Sequence, residues 1–355
     1  MRLRFPWTTN CGLFFTRYEE DQAFLPSRAA KIKVLCLFAL LLALPWLVGP
    51  YPLRIASQVA IMALGAVGLN LLTGFAGQIS VGHAAFMGVG AYTVGALTTK
   101  LGLSFWLALP LGGLAAALVG AFFGLPSLRL KGLYLAIATL AAQVILDFAF
   151  VRLEPITGGA AGLVLTPPSL GPFSLADDTV FYYVVLALAV VGVIFALNLS
   201  RSRVGRAFMA IRDRDLAAAM LGVDLFGYKL RAFFLSSFYA GLAGGMLAAY
   251  TRVVTPEQFT LDVSIQFLAM IVIGGLGDVL GSVYGAAFVS LLPIALSYLA
   301  QALQGVFPQM VNLLSACQTA LFGLVIILFL IFEPQGLAKL WRHVKDYFRL
   351  WPFSY

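Results

Sequence analysis

The sequence predicts an all-α integral membrane protein with about ten transmembrane helices and a cytoplasmic helical segment after the sixth, and three observations carry that expectation. The 355 residues are 61% hydrophobic and only 11% charged, with a mean hydropathy of +0.95. A chain so apolar needs the bilayer as its main solvent. Apolar stretches of membrane-crossing length follow one another with short connections. One charged stretch, 200–231, breaks the series; it is too polar to cross lipid and too long for a turn. Ten helices and their loops leave no room for a soluble catalytic domain of ~150 residues.

The first 32 residues mix Arg2, Arg4, Arg17, Glu19, Glu20, Asp21 and Arg28 with aromatics. They lack the basic, apolar and small-residue order of a secretory signal, so a cytoplasmic N-terminal segment, 1–32, precedes a permease-like membrane region, 33–332. Against the ~20 residues that cross a bilayer, apolar runs place spans at 33–49, 53–73, 82–99, 104–125, 132–151, 180–199, 230–250, 264–277, 282–303 and 315–332. Residues 82–99 are rich in small side chains and 264–277 is short, so either fits a broken or re-entrant helix enclosed by protein. A cytoplasmic tail, 333–355, completes the chain.

Basic residues orient the spans. With the N-terminus in the cytoplasm, Arg129, Lys131, Arg201, Arg203, Arg206, Arg212, Arg214, Lys229, Arg231, Lys339, Arg342, Lys345 and Arg349 all fall on the cytoplasmic side, as does the C-terminus. The opposite side receives the loop 152–179, with Glu154, Asp177 and Asp178 against one arginine, while Arg54, Lys100 and Arg252 are scattered exceptions. The net charge of +8 therefore sits at membrane edges and forms no stripe for nucleic acid. Cys11, Cys36 and Cys317 have no paired spacing, and His83 and His343 are far apart, so neither a disulfide framework nor a metal cluster is expected.

Helices in lipid gain mainly from close backbone approach, so small residues mark their contacts. Gly277, Gly281 and Gly285 are spaced by four and form one stripe if a helix runs through them. Ala116, Gly120 and Gly124 do the same in the fourth span, as do Gly241 and Gly245 in the seventh. Fixed helix contact and sliding during gating both fit such stripes.

Polar residues inside the spans are the candidates for a pathway or gate: Asn70, Gln78, Ser80, His83, Gln143 and Asp147. Each has a plainer alternative. His83 lines a pathway or packs as a satisfied interfacial residue; the Asn70 and Gln78 amides bind cargo or tie the turn at Gly74 and Gly77. Asp147 meets a passing amino group or neutralises Arg152, and Gln143 and the Ser236-Ser237 pair face a pore or bond helix to helix. Asp278, between Gly277 and Gly281, reads as an interfacial turn residue.

From Val204 to Gly222 the chain reads VGRAFMAIRDRDLAAAMLG. Phe208, Ile211, Asp215, Ala219 and Gly222 follow a three-to-four residue spacing, Arg212 to Asp215 fill one charged turn, and Gly222 fits a C-terminal cap. One reading is an amphipathic helix on lipid headgroups, held by its arginines. The Ala217-Ala218-Ala219 run, a poor lipid anchor, fits close contact with a protein groove better.

This alanine-rich helix, with an acid before it and a glycine after it, resembles the segment by which ABC importer permeases dock on their ATPase subunits. More specifically, Asn70-Leu71-Leu72-Thr73-Gly74-Phe75-Ala76-Gly77-Gln78-Ile79-Ser80-Val81-Gly82-His83-Ala84-Ala85-Phe86 and Gly90-Ala91-Tyr92 resemble the LivM-type permeases of branched-chain amino acid importers. So do Lys131-Gly132-Leu133-Tyr134-Leu135-Ala136, Ile156-Thr157-Gly158-Gly159, Gly274-Gly275-Leu276-Gly277 and Glu333-Pro334-Gln335-Gly336-Leu337. The similarity runs from about Ile55 to Leu340 and leaves out the first 32 residues. It departs at Ala160-Ala161, where the family commonly carries a polar or acidic pair before Gly-Leu.

The resemblance implies a cytoplasmic coupling helix made by Gly205, Arg206, Phe208, Ile211, Arg212, Asp215, Ala217, Ala218, Ala219 and Gly222. It implies four kinds of partner in the bacterial inner membrane and beside it: a LivH-type permease, LivG-type and LivF-type ATPases, and a periplasmic substrate-binding protein. ATP and magnesium belong to the ATPases, for this chain has no G-x-x-x-x-G-K-[ST] motif and not one Gly-Lys pair. Branched-chain amino acids are the expected cargo; urea, short amides and aromatic acids share the architecture. An ion-gradient-driven transporter would need acids at mid-membrane, and an intramembrane enzyme a convergent Ser/His, paired-Asp or metal set. Neither pattern is present in the spans above.

Overall fold

The computed structural model describes residues 28–127, 132–166, 169–170, 173–174 and 177–303, with 320, 323–324, 326–328, 331, 336–338 and 340 beyond them. Helix α1 covers Arg28–Leu47. Helix α2 (Pro50–Asn70) starts at a proline, whose fixed φ and missing N–H suit a first helical turn, and runs on into a π-helical turn, Leu71–Phe75. Together these 26 residues rise about 39 Å, enough to cross a bilayer. Helix α3 (His83–Thr99) returns, followed by α4 (Phe105–Ser127), α5 (Leu133–Arg152) and the short α6 (Glu154–Thr157). After three short strands come α7 (Asp178–Arg201), α8 (Arg203–Met220) and α9 (Leu225–Thr251), then a fourth strand, α10 (Leu261–Gly274) and α11 (Val279–Leu303). Strand β1 (Leu163–Val164) pairs with β4 (Val253–Val254), and β2 (Ser169–Leu170) with β3 (Phe173–Ser174).

Helices α2, α3 and α9 make the centre. Helix α9 packs along α4, α3 and α2; α2 also meets α7 and α11, and α10 pairs with α11. The small residues explain how three helices come so close: a methyl group at Gly90 of α3 would strike the backbone of Gly241 on α9, and one at Gly244 would strike the Met87 carbonyl. Gly241 in turn faces Ala116 and Gly113 of α4, Gly245 faces Leu109 and Val94, Gly120 faces Ser237, and Gly124 faces Phe233. Side-chain-free approach maximises dispersion contact where lipid offers no hydrophobic drive.

Seven helices among the described residues are long and apolar enough to cross a membrane: Pro50–Phe75, Phe105–Leu125, Leu133–Arg152, Asp178–Arg201, Leu225–Thr251, Pro256–Gly274 and Val279–Tyr298. The expected spans at 33–49 and 82–99 are helical but shorter in their apolar parts: 16 residues in Ile32–Leu47 by its bounds, and 17 in α3. More than half of the expected span 315–332 lies outside the described residues, as do Arg129, Lys131 and most of 333–355. Helix α3 begins inside the bundle. Its first residue, His83, hydrogen-bonds the Gly65 carbonyl, ten residues before Phe75 and so about 15 Å back along α2. The link 76–82 therefore climbs back to membrane depth, where irregular backbone survives only when enclosed by protein.

One expectation is corrected here. No helix runs through Gly277: α10 stops at Gly274, Gly277 adopts φ 78°, and α11 starts at Val279. The positive φ suits a turn glycine and excludes a helical stripe. Gly281 and Gly285 do lie on α11, facing the backbone of Gly274 and Met270 on α10.

Candidate functional site

Helix α8 lies across one end of the bundle. Ser202 caps it by accepting a bond from the Gly205 N–H at 3.3 Å. Gly205, Ala207, Phe208 and Ile211 turn inward and are buried, and Phe208 meets the Tyr228 ring of α9 at 6.3 Å. At Arg214 the backbone leaves helical geometry (φ −155°, ψ 96°), so α8 is two pieces joined by a kink. Beyond it Leu216, Met220 and Leu221 are 69%, 89% and 85% exposed, while Ala218 is buried. Gly222 closes the helix with φ 83°: Val223 N–H bonds the Ala218 carbonyl and Gly222 N–H that of Ala219, the paired bonds of a Schellman cap.

Two turns meet under the first piece. Asn70, in the last turn of α2, accepts from Gly277 N–H at 3.0 Å and donates to the Asp278 carbonyl at 2.8 Å and the Ser282 hydroxyl at 2.7 Å. Gly74 lies against Gly277, and Arg212 of α8 donates to the Gly74 carbonyl at 2.9 Å. A Cβ at Gly77 would come within 2.9 Å of Arg212 Cγ. Gly336 packs on Gly275, and Ala338 on Gly281. Stretches separated in sequence, 70–78, 274–278 and the described part of 333–337, thus gather with α8 at one end.

A second polar cluster surrounds the start of α3. The first amides of a helix have no partner within it, and here neighbouring helices supply them: Ala84 N–H bonds Ser264 Oγ at 2.9 Å, and Ala85 N–H bonds Gln143 Oε1 at 3.0 Å. Just before the helix, Val81 N–H bonds Thr139 Oγ1 at 3.0 Å. Gln143 Nε2 donates to Asp147 Oδ1 at 2.8 Å and to the Phe259 carbonyl at 2.6 Å. The buried His83 ring also stands edge-on to Phe267 at 5.2 Å.

The candidate residues therefore divide into two groups. Asn70 ties the turn, His83 packs, and Gln143 bonds helix to helix; Gln78 Nε2 donates to the Ala76 carbonyl, and Ser80 is buried in the link. Asp147 bonds Gln143, while Arg152 lies over the Phe148 ring at 5.5 Å. In α8, Gly205, Phe208, Ile211 and Ala218 face the bundle, Arg212 bonds Gly74, and Arg206 donates to the Arg201 carbonyl at 2.8 Å. Ala217, Ala219 and Gly222 are exposed, and Asp215 is half-buried. Sequence reasoning passes over Thr139, Ser264 and Ser282, whose only signal is a hydroxyl at membrane depth.

The described residues thus form a multi-pass bundle of membrane-length helices with a polar helix strapped beneath glycine turns, the architecture of an integral membrane protein. The sequence profile of the family described as branched-chain amino acid transport system, permease component, matches residues 51–332. The chain is 32% identical over 336 residues to the high-affinity branched-chain amino acid transport system permease protein LivM of Escherichia coli (strain K12), covering 88% of this chain and 76% of that protein. It is 25% identical to the probable branched-chain amino acid transport permease LivM of Methanocaldococcus jannaschii (77% and 88% covered). It is 27% identical to the fructose import permease protein FrcC of Rhizobium meliloti (88% and 87%). No solved structure matches. The chain belongs to the family of branched-chain amino acid transport system permease components, and is a permease subunit of an ABC importer.

Proposed function

We propose that this subunit carries branched-chain amino acids across the bacterial inner membrane, powered by separate ATPases that dock on α8. The observation that carries the docking is the bare second piece of α8, where three large apolar side chains, Leu216, Met220 and Leu221, stand clear of the bundle. The same helix carries Arg203, Arg206 and Arg214, so the side it occupies is the basic, cytoplasmic one. The opposite end, marked by the Arg54–Asp178 pair at 3.8 Å, is then periplasmic. Apolar anchors in a polar surround are the usual composition of a protein contact.

On this reading ten spans, including 315–332, place both termini in the cytoplasm. A LivH-type permease completes the pore, LivG-type and LivF-type ATPases bind α8 with ATP and magnesium, and a periplasmic binding protein delivers cargo. ATP-driven closure switches a bistable pore. The cargo follows the LivM relatives. The exposed Ala160-Ala161, in place of a polar or acidic pair, favours one second reading: a different small polar cargo such as urea, an amide or an aromatic acid.

The test is uptake of labelled leucine by cells with and without this chain, with those compounds as competitors and an ATP-depleted control. Loss of ATP-dependent leucine uptake on deletion is expected. Loss of another solute's uptake alone would overturn the cargo, and gradient-driven transport by the purified chain would overturn the ATPase coupling.

A further inference from the structure

Arg212 is the point where α8 touches both glycine turns, and its partners make it more than a surface cation. Its guanidinium donates to the Gly74 carbonyl at 2.9 Å and to Asp213 at 3.0 Å. Its stem lies over Gly77, and its Nη1 would stand 2.9 Å from a Cβ at Gly277. Gly74 is pressed against Asn70 and Gly277, leaving no space for a methyl group. Asn70 in turn holds Gly277, Asp278 and Ser282, and so joins the end of α2 to the start of α11. Arg212 lies two residues before the kink at Arg214.

We infer that Arg212 is a positioning residue that passes displacement of α8 to the joined ends of α2 and α11 through the Gly74 and Gly277 turns. This rests on the docking of ATPases at α8 and specifies how their motion enters the membrane. The kink divides the work: the piece beyond it takes the load, and Arg212 on the near side hands it to the turns. Beyond the Arg212 guanidinium the handover is stiff, because the contacts from Gly74 to the start of α11 are backbone to backbone or through the one buried Asn70 amide. Helices α2 and α11 lie side by side, and α2 also packs along α9 at the bundle centre.

The test uses proteoliposomes holding the assembled complex of full-length chain, partner permease and ATPases, with ATP sealed inside on the ATPase side and labelled leucine with the periplasmic binding protein outside, read as leucine imported per ATP hydrolysed. Arg212→Ala and Asn70→Ala should each lower that ratio about tenfold, with the ATPases still bound. Because the two residues act in one unit, the double variant should be no worse than about tenfold. Arg212→Lys, which keeps a donor for the Gly74 carbonyl, should recover part of the loss. An unchanged ratio in Arg212→Ala, a double variant down about a hundredfold, or loss of the ATPases from the complex would overturn the inference. A parent complex without ATP-linked leucine import would instead defeat the transport reading on which it rests.

Discussion

Before the break at Arg214, α8 buries Gly205, Ala207, Phe208 and Ile211 against the bundle; after it, Ala218 alone among its buried residues turns inward while Leu216, Met220 and Leu221 project. Both pieces are helical, both carry apolar side chains at three-to-four residue spacing, and they follow each other in one short segment. The kink rotates the apolar stripe from an intramolecular face to an unoccupied one. An amphipathic pattern therefore shows that a face is to be covered, and the backbone decides by what.

The difference between the pieces can be broken from either side. The largest expected effect is on the inner piece: Phe208→Ala should cost about 3–4 kcal/mol by leaving a cavity beside Tyr228, read as lowered thermal stability of the purified chain in detergent. The matched change on the outer piece, Leu216→Asp with Met220→Asp, should leave that stability unchanged. It should weaken ATPase association by roughly 2 kcal/mol, about thirtyfold, measured by titration on the detergent-solubilised permease. Equal destabilisation by both changes would erase the distinction. Gly222→Ala has open space for its methyl group but must hold φ near 83°, so a cost of about 1–2 kcal/mol is expected in the last turn, visible as faster amide exchange at Val223. Ser202→Ala, which removes the cap on Gly205, should cost about 1 kcal/mol and loosen the first turn alone.

How far the sequence reads ahead of the structure depends on which force sets each feature. Residues 132–151 and 282–303 are close to Leu133–Arg152 and Val279–Leu303 because length and apolarity are local properties. The glycines at 120, 124, 241 and 245 stand at helix contacts, where fourfold spacing is itself the packing surface. Gly277 misleads for the opposite reason: its spacing from Gly281 fits a stripe, but Asn70, more than 200 residues away in sequence, holds it in a turn. The direction of Phe208 and Ile211 is likewise illegible, since apolar spacing does not say whether the covering surface belongs to the same chain. Ser264 and Thr139 become meaningful only once the start of α3 is known to lie inside the bundle, with amides to satisfy.

Photo-crosslinking from the exposed tip of α8 tests the central claim most directly. A photoreactive residue at position 220, in an importing complex in native membranes, should crosslink to an ATP-binding cassette chain, while the same residue at the buried position 208 should crosslink only within this chain. A complex that imports leucine at the parent rate but gives no crosslink to an ATP-binding chain from position 220 would contradict the account.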